Sequence, residues 1–84
     1  MYKIVITKTA LKNLKKIPKN IAINIKNKIY LLSTDPYNKG GIKKLKGREG
    51  YRFRVGDYRV IYEIQNNILV IKVINIKSRG EVYK

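Results

Sequence analysis

Cysteine and histidine are both absent from this 84-residue chain, and only five residues are acidic. Without cysteine there is no disulfide, no thiolate nucleophile and no thiolate metal site. Without histidine the commonest general base and metal ligand is missing. The acids are scattered and none precedes Asp35, which argues against a metal-dependent nuclease built on clustered carboxylates. No phosphate-binding glycine loop of the nucleotide-hydrolase kind occurs. Long apolar runs are lacking too. Ile68-Leu69-Val70-Ile71 is interrupted by Lys72, and Met1 to Thr7 has neither the apolar stretch nor the small-residue cleavage site of an export signal. A cytoplasmic protein with no membrane partner is the expectation, and neither cofactor nor metal is called for.

What the chain has in abundance is positive charge. Twenty Lys and Arg give a formal +15 and a pI near 10.2. Self-repulsion on that scale opposes compaction, so a polyanionic partner is the natural counterweight. The plainer reading is lysine used for solubility, or a codon bias toward Lys, Ile and Asn. An anionic lipid surface fits less well, because no basic segment forms one amphipathic helix with bulky apolar anchors. At 44% hydrophobic residues the chain can form a core. One domain over residues 1–84 is expected, and a domain of this size hides only about 60% of the surface its unfolded chain exposes.

The order of elements follows from periodicity. Tyr2 to Ile6 is rich in strand formers. Thr7 or Thr9 can cap a helix carrying Ala10, Leu11, Leu14 and Ile17 at helical spacing, and Pro18 ends it. A second helix is predicted from Asn20 to about Ser33, with Ile21, Ile25, Ile29 and Leu32 as its apolar stripe. Tyr37 to Gly50 is rich in glycine and lysine and reads as irregular. Strict alternation follows in Tyr51-Arg52-Phe53-Arg54-Val55. Gly56-Asp57 is a two-residue hairpin turn, and Tyr58 to Ile64 is the return strand. Asn66-Asn67 suits another tight turn. Ile68 to Ile76 is almost continuously apolar, as a central strand would be. The expected class is α+β: an N-terminal strand and a helical hairpin packed on a mostly antiparallel four-stranded sheet, in the order β-α-α-β-β-β.

The turn sets the register: Val55 opposite Tyr58, Arg54 opposite Arg59, Phe53 opposite Val60, Arg52 opposite Ile61. Phe53, Val55, Tyr58, Val60 and Tyr62 then face the helices, and Arg52, Arg54 and Arg59 face away. Like charges directly opposed cost roughly 0.2–1 kcal/mol, so three arginines on one small face suggest an anion site, each guanidinium being a fork that fits a phosphate. A solvated outer face on which arginine is merely soluble is the bland alternative. Arg79 and Tyr83 join that face only if the last strand bends or bulges, and Tyr83 is otherwise a terminal aromatic at the core edge. The chemistry left open is metal-free RNA cleavage, in which the substrate's 2′-hydroxyl is the nucleophile. Arginines can hold the phosphate and its developing charge. They are poor bases, so Tyr83 or a desolvated lysine such as Lys44, Lys46 or Lys77 would assist with protons.

These segments resemble the RelE/ParE toxin superfamily: Lys44-Leu45-Lys46-Gly47, then Tyr51 to Tyr62 with its "RVGDYRVIY", then Ser78-Arg79-Gly80-Glu81-Val82-Tyr83. The early "KTALKNLKKIP" fits the family's first helix, and the ending "KSRGEVYK" looks like archaeal RelE proteins. The resemblance covers the whole chain and implies the toxin of a type II toxin–antitoxin pair. The RelE branch acts in the ribosomal A site, cutting mRNA by 2′-hydroxyl attack without a metal and so inhibiting translation. By motif position, catalysis would fall to Arg54, Arg59, Arg79 and Tyr83. Arg54 and Arg59 would contact the scissile phosphate, Arg79 would stabilise the transition state or protonate the leaving group, and Tyr83 would stack on the RNA. Arg52, Lys44, Lys46, Arg48 and Lys77 would bind RNA, and Lys8, Lys12 and Lys15 would meet ribosomal RNA. Some members carry lysines where this chain has Arg52 and Arg54, and some have a further C-terminal helix. The implied partners are an acidic RelB-like antitoxin, the ribosome and mRNA. The same fold also serves ParE-like toxins that poison gyrase, and an inactive RNA-binding module is the third possibility.

Overall fold

In the computed structural model, residues 1–37 and 41–78 are described. Strand β1 (Lys3–Ile6) leads directly into helix α1 (Lys8–Lys15). Thr7 makes the junction: its backbone is extended, and its hydroxyl accepts a hydrogen bond from the Ala10 amide, one of the orphan donors of a helix start. Pro18 ends the first helix and begins the second, its carbonyl accepting from the amides of Ile21 and Ala22. Helix α2 runs Lys19–Leu31. Of the apolar positions expected on these helices, Ala10, Leu14, Ile17, Ile25, Ile29 and Leu32 are buried and Ile21 packs at the core margin. Leu11 is the exception, 42% exposed on the outer side of α1. No helix among the described residues is long and apolar enough to cross a membrane.

The remaining elements are β2 (Lys43–Lys44), β3 (Tyr51–Val55), β4 (Tyr58–Gln65) and β5 (Val70–Ser78). They form one five-stranded sheet in the order β1-β5-β4-β3-β2. β1 runs parallel to β5, and the other pairings are antiparallel. The sheet is thus one strand wider than the sequence implied. The Lys43–Lys44 segment, expected to be irregular, lies along β3 as a short edge strand. Two residues carry no readable alternation, which is why periodicity misses it. The β4–β5 connection is also longer than a two-residue turn: it spans Asn66 to Leu69, with Leu69 in the left-handed region at φ 52°.

The core lies between the helices and one face of the sheet. Phe53, Val60, Tyr62, Ile71, Val73 and Ile76 from the sheet meet Ala10, Leu14, Ile25, Ile29 and Leu32 from the helical side. Val55 and Tyr58 pack at its edge, as their alternation implied. The Lys28 ammonium sits 5.4 Å from the centre of the Phe53 ring, pinning α2 to β3. Two contacts hold the end of the sheet nearest α2. The fully buried Tyr62 donates its hydroxyl proton to the Pro36 carbonyl at 2.9 Å. Gly50, at φ 126°, lets the backbone pass close to β4, where a Cβ would come within 3.1 Å of both the Tyr62 carbonyl and Leu45.

Burial, reinforced by neighbouring Tyr51, Asp35 and Tyr37, pushes the Tyr62 phenol above its ordinary value of 10.0. The folded state therefore holds the proton to higher pH than the unfolded chain. This contribution is intact below about pH 10 and is lost as pH rises beyond it. Tyr62→Phe should lower stability at neutral pH by about 1–2 kcal/mol, since Pro36 loses its donor. It should also blunt the alkaline loss of stability, as read by denaturant melts at pH 7 and above pH 10. Gly50→Ala should cost about 2 kcal/mol or more, because alanine meets both an unfavourable φ and backbone atoms; the same melts measure it.

Candidate phosphate-binding face

Strand pairing places the charged side chains, and the hairpin does so as its turn dictates. Gly56 sits at φ 58°, as a type II′ turn needs at its first central position. Arg54 is opposite Arg59, and Arg52 is opposite Ile61. With Phe53 and Val60 buried beneath the helices, alternation sends Arg52, Arg54 and Arg59 to the opposite face of the sheet. Pairing with the flanking strands widens the set. Lys77 on β5 is opposite Arg59, and Lys43 on β2 is opposite Arg52.

Two transverse rows result. One runs Arg54–Arg59–Lys77 across β3, β4 and β5; the next runs Lys43–Arg52–Ile61–Asn75 across β2 to β5. Directly opposed residues have Cβ atoms about 4.5–5.5 Å apart, so each row presents its cations within the reach of one or two phosphates. Arg54 is exposed, whereas Arg52, Arg59 and Lys77 are half-buried. Partial burial limits the water available to screen a bound anion. A hollow of about 330 Å³ lined by Gly41, Lys43, Arg52, Phe53 and Arg54 opens beside these rows.

The other expected RNA-binding residues lie elsewhere. Lys44 is opposite Tyr51 and so has the parity of the helix-facing residues. It lines a separate hollow with Tyr37, Glu49 and Asn66. Lys46 and Arg48 are exposed on the loop closed by the Leu45 amide donating to the Gly50 carbonyl. That loop enters β3 at the end away from Arg54. Lys8, Lys12 and Lys15 are exposed along α1 at helical spacing, forming a separate basic stripe. Arg79 and Tyr83 lie outside the described residues.

Lys43 is the residue that sequence reasoning leaves out of the face; its position depends on the short edge strand, for which no local signal exists. Lys77 is expected as an RNA ligand, but its place beside Arg59 depends on a register shift in β5, with Ile61 opposite Asn75 while Tyr62 is opposite Val73. Nothing in the sequence marks that shift, since Val73-Ile74-Asn75-Ile76 allows either phase; only in the fold does the step from buried Val73 to buried Ile76, three residues where a regular strand has two, reveal it.

Among the described residues no group of three or more metal-ligating side chains exists. The face is a cation array, able to bind phosphates and offset negative charge on them.

Comparison with known proteins fits this architecture. The family model for the ParE toxin of type II toxin–antitoxin systems matches residues 4–83. RelE1 of Methanocaldococcus jannaschii is 36% identical over 86 residues, covering 99% of this chain and 96% of that protein. The RelE–RelB complex of Pyrococcus horikoshii OT3 contains a chain superposing with a TM-score of 0.84 at 33% identity, over 94% of this chain and 96% of that one. The Methanococcus jannaschii RelB–RelE complex gives a TM-score of 0.79 at 33% identity, over 94% of each chain.

Arg54→Glu should place a carboxylate opposite Arg59. Stability in low salt should be unchanged or raised by up to about 1 kcal/mol. Affinity for a short single-stranded RNA should fall about tenfold, with a shallower salt dependence. Thermal melts and fluorescence titrations at several salt concentrations check both. With its fold and these matches in agreement, the chain belongs to the RelE/ParE superfamily of type II toxin–antitoxin toxins.

Proposed function

We propose that this toxin is a ribosome-dependent endoribonuclease that cuts mRNA in the A site without a metal ion. The observation that carries the reading is the row Arg54–Arg59–Lys77, three cationic side chains set side by side across one face of the sheet. The reaction asks for what such a row supplies. The 2′-hydroxyl of the substrate attacks the adjacent phosphorus and the 5′-oxygen of the next nucleotide leaves, so a cyclic phosphate forms as the chain breaks. Charge grows on the non-bridging oxygens, and fixed guanidinium and ammonium groups favour that state over the ground state.

In this reading Arg54 and Arg59 grip the scissile phosphate. Arg52 and Lys43 hold the neighbouring phosphate, and Lys77, opposite Arg59 on the other side, takes charge or proton duties. Arg79 and Tyr83 complete the site by family motif, the first at the leaving group and the second stacked on a base. The chain has no histidine to move protons, so the rate depends on substrate held in an attack geometry, which a ribosome provides. Lys8, Lys12 and Lys15 then dock on ribosomal RNA, and the work is done in the cytoplasm.

The resting partner is an acidic antitoxin of the RelB kind. The similar chains from Pyrococcus horikoshii OT3 and Methanococcus jannaschii were solved in RelE–RelB complexes, and a +15 chain gains from an acidic wrapper. The matching family model carries the ParE name, which supports gyrase inhibition as the second reading.

Purified toxin added to ribosomes stalled on a defined message should cut within the A-site codon, with 3′ ends mapped by primer extension. Arg59→Ala should slow cleavage by about 10²–10³-fold. Intact message at saturating toxin, together with inhibited supercoiling by gyrase, would replace this reading with the second.

A further inference from the structure

Strand β5 changes phase half-way along. Ile71 and Val73 are buried with period two, and Val73 is opposite the buried Tyr62. The next buried residue is Ile76, opposite Val60. Ile74 is therefore an extra residue, a β-bulge, and it reverses the parity of everything after it. Had pairing continued regularly from Tyr62–Val73, Val60 would be opposite Asn75, Arg59 opposite Ile76 and Tyr58 opposite Lys77. Asn75 and Lys77 would point beneath the helices, and Ile76 would interrupt the cation row. With the bulge, Lys77 stands beside Arg59 instead.

Helix α1 clamps this bulge. β1 pairs with β5 only as far as Ile6 opposite Val73, so among the described residues the edge of β5 beyond that point has no strand neighbour on that side. Side chains from the N-cap and the last turn of α1 fill the place. The Thr7 hydroxyl donates to the Ile74 carbonyl at 2.7 Å. Asn13 Nδ2 donates to the Ile76 carbonyl at 3.1 Å and to Asn75 Oδ1 at 2.8 Å. Asn75 Oδ1 also accepts from the Ile76 amide at 2.8 Å. One amide thus ties together the residues immediately before Lys77, from the side of the strand away from Arg59.

We infer that Asn13 is a positioning residue for the phosphate-binding row, holding the bulged strand so that Lys77 is aimed beside Arg59. The register itself is secured by the core. A regular strand would bury an ammonium and expose an isoleucine, both strongly unfavourable. What the Asn13 bonds add is the fine placement of the strand within that register. Small displacements matter at such a site: about 1 Å of misplacement costs on the order of a hundredfold in rate. The inference rests on the ribonuclease reading for its kinetic consequence, while its structural part stands apart from it.

The test is Asn13→Leu in the full chain, a substitution of similar size that cannot donate; Asn13→Ala serves if the leucine variant does not fold. Hydrogen exchange at the Ile76 and Lys77 amides should quicken at least tenfold relative to the parent, with exchange in β3 unchanged. On saturating programmed ribosomes kcat should fall at least tenfold with KM within twofold. Adding Asn13→Leu to Lys77→Ala should lower the rate no further than Lys77→Ala does. Unchanged exchange at Ile76 and Lys77, a kcat within twofold of the parent, or losses that multiply with those of Lys77→Ala would each overturn the inference. If the parent itself cuts no message, the ribonuclease reading fails, and exchange at Ile76 and Lys77 alone then decides whether Asn13 holds the bulge.

Discussion

The pairing of β4 with its two neighbours is the constraint on which everything else rests. One face of that strand presents Val60 and Tyr62 to the helices, and the other presents Arg59 to its cationic neighbours. The two faces are unequal in energy. Burying each large apolar side chain contributes about 1.5–3 kcal/mol, and many such side chains lie on the helix side. Setting Arg54 and Lys77 on either side of Arg59 costs a fraction of that for each pair. The core can therefore impose a row of like charges that the outer face, left to itself, would not form.

Helix α1 serves that arrangement in three ways at once. Ala10 and Leu14 enter the core, Lys8, Lys12 and Lys15 give it a basic outer stripe, and Thr7 and Asn13 satisfy the open edge of β5. A strand whose carbonyls faced α1 without partners would be costly. Polar side chains at two positions take the place of a further strand, and they do so next to the bulge that turns Lys77. At the opposite end of the sheet, the Tyr62–Pro36 bond and the close pass of Gly50 hold the approach to β3. Tyr2, Asn66 and Tyr37 add a surface chain of hydrogen bonds there, Tyr2 donating to Asn66 and Asn66 to Tyr37. The cation rows thus lie on a sheet fastened at both ends. That suits the proposed reaction, in which the site would act by fixed charge rather than by mobile proton carriers.

The features legible in sequence are those with a local cause. Gly56-Asp57 set the hairpin register, and the alternation of Tyr51 to Val55 assigned each arginine its face. Thr7 and Pro18 marked helix boundaries to within a residue or two. Leu11 shows the limit of periodicity, since helical spacing placed it with Leu14 although the turn of α1 leaves it in solvent. The edge strand Lys43–Lys44 shows another: its existence depends on β3 having an open side, which no property of two lysines announces.

The sequence by itself determined the +15 charge of the chain, the order of its elements and the opposition of Arg54 to Arg59, because composition is fixed residue by residue and capping and a two-residue turn act over a few residues. Tertiary structure alone decided that Lys77 and Lys43 join those arginines while Lys44 does not. Those placements depend on which strand lies beside which, and on a bulge held by a helix residue 62 positions away from Asn75. Such contacts have no signature until the chain has folded.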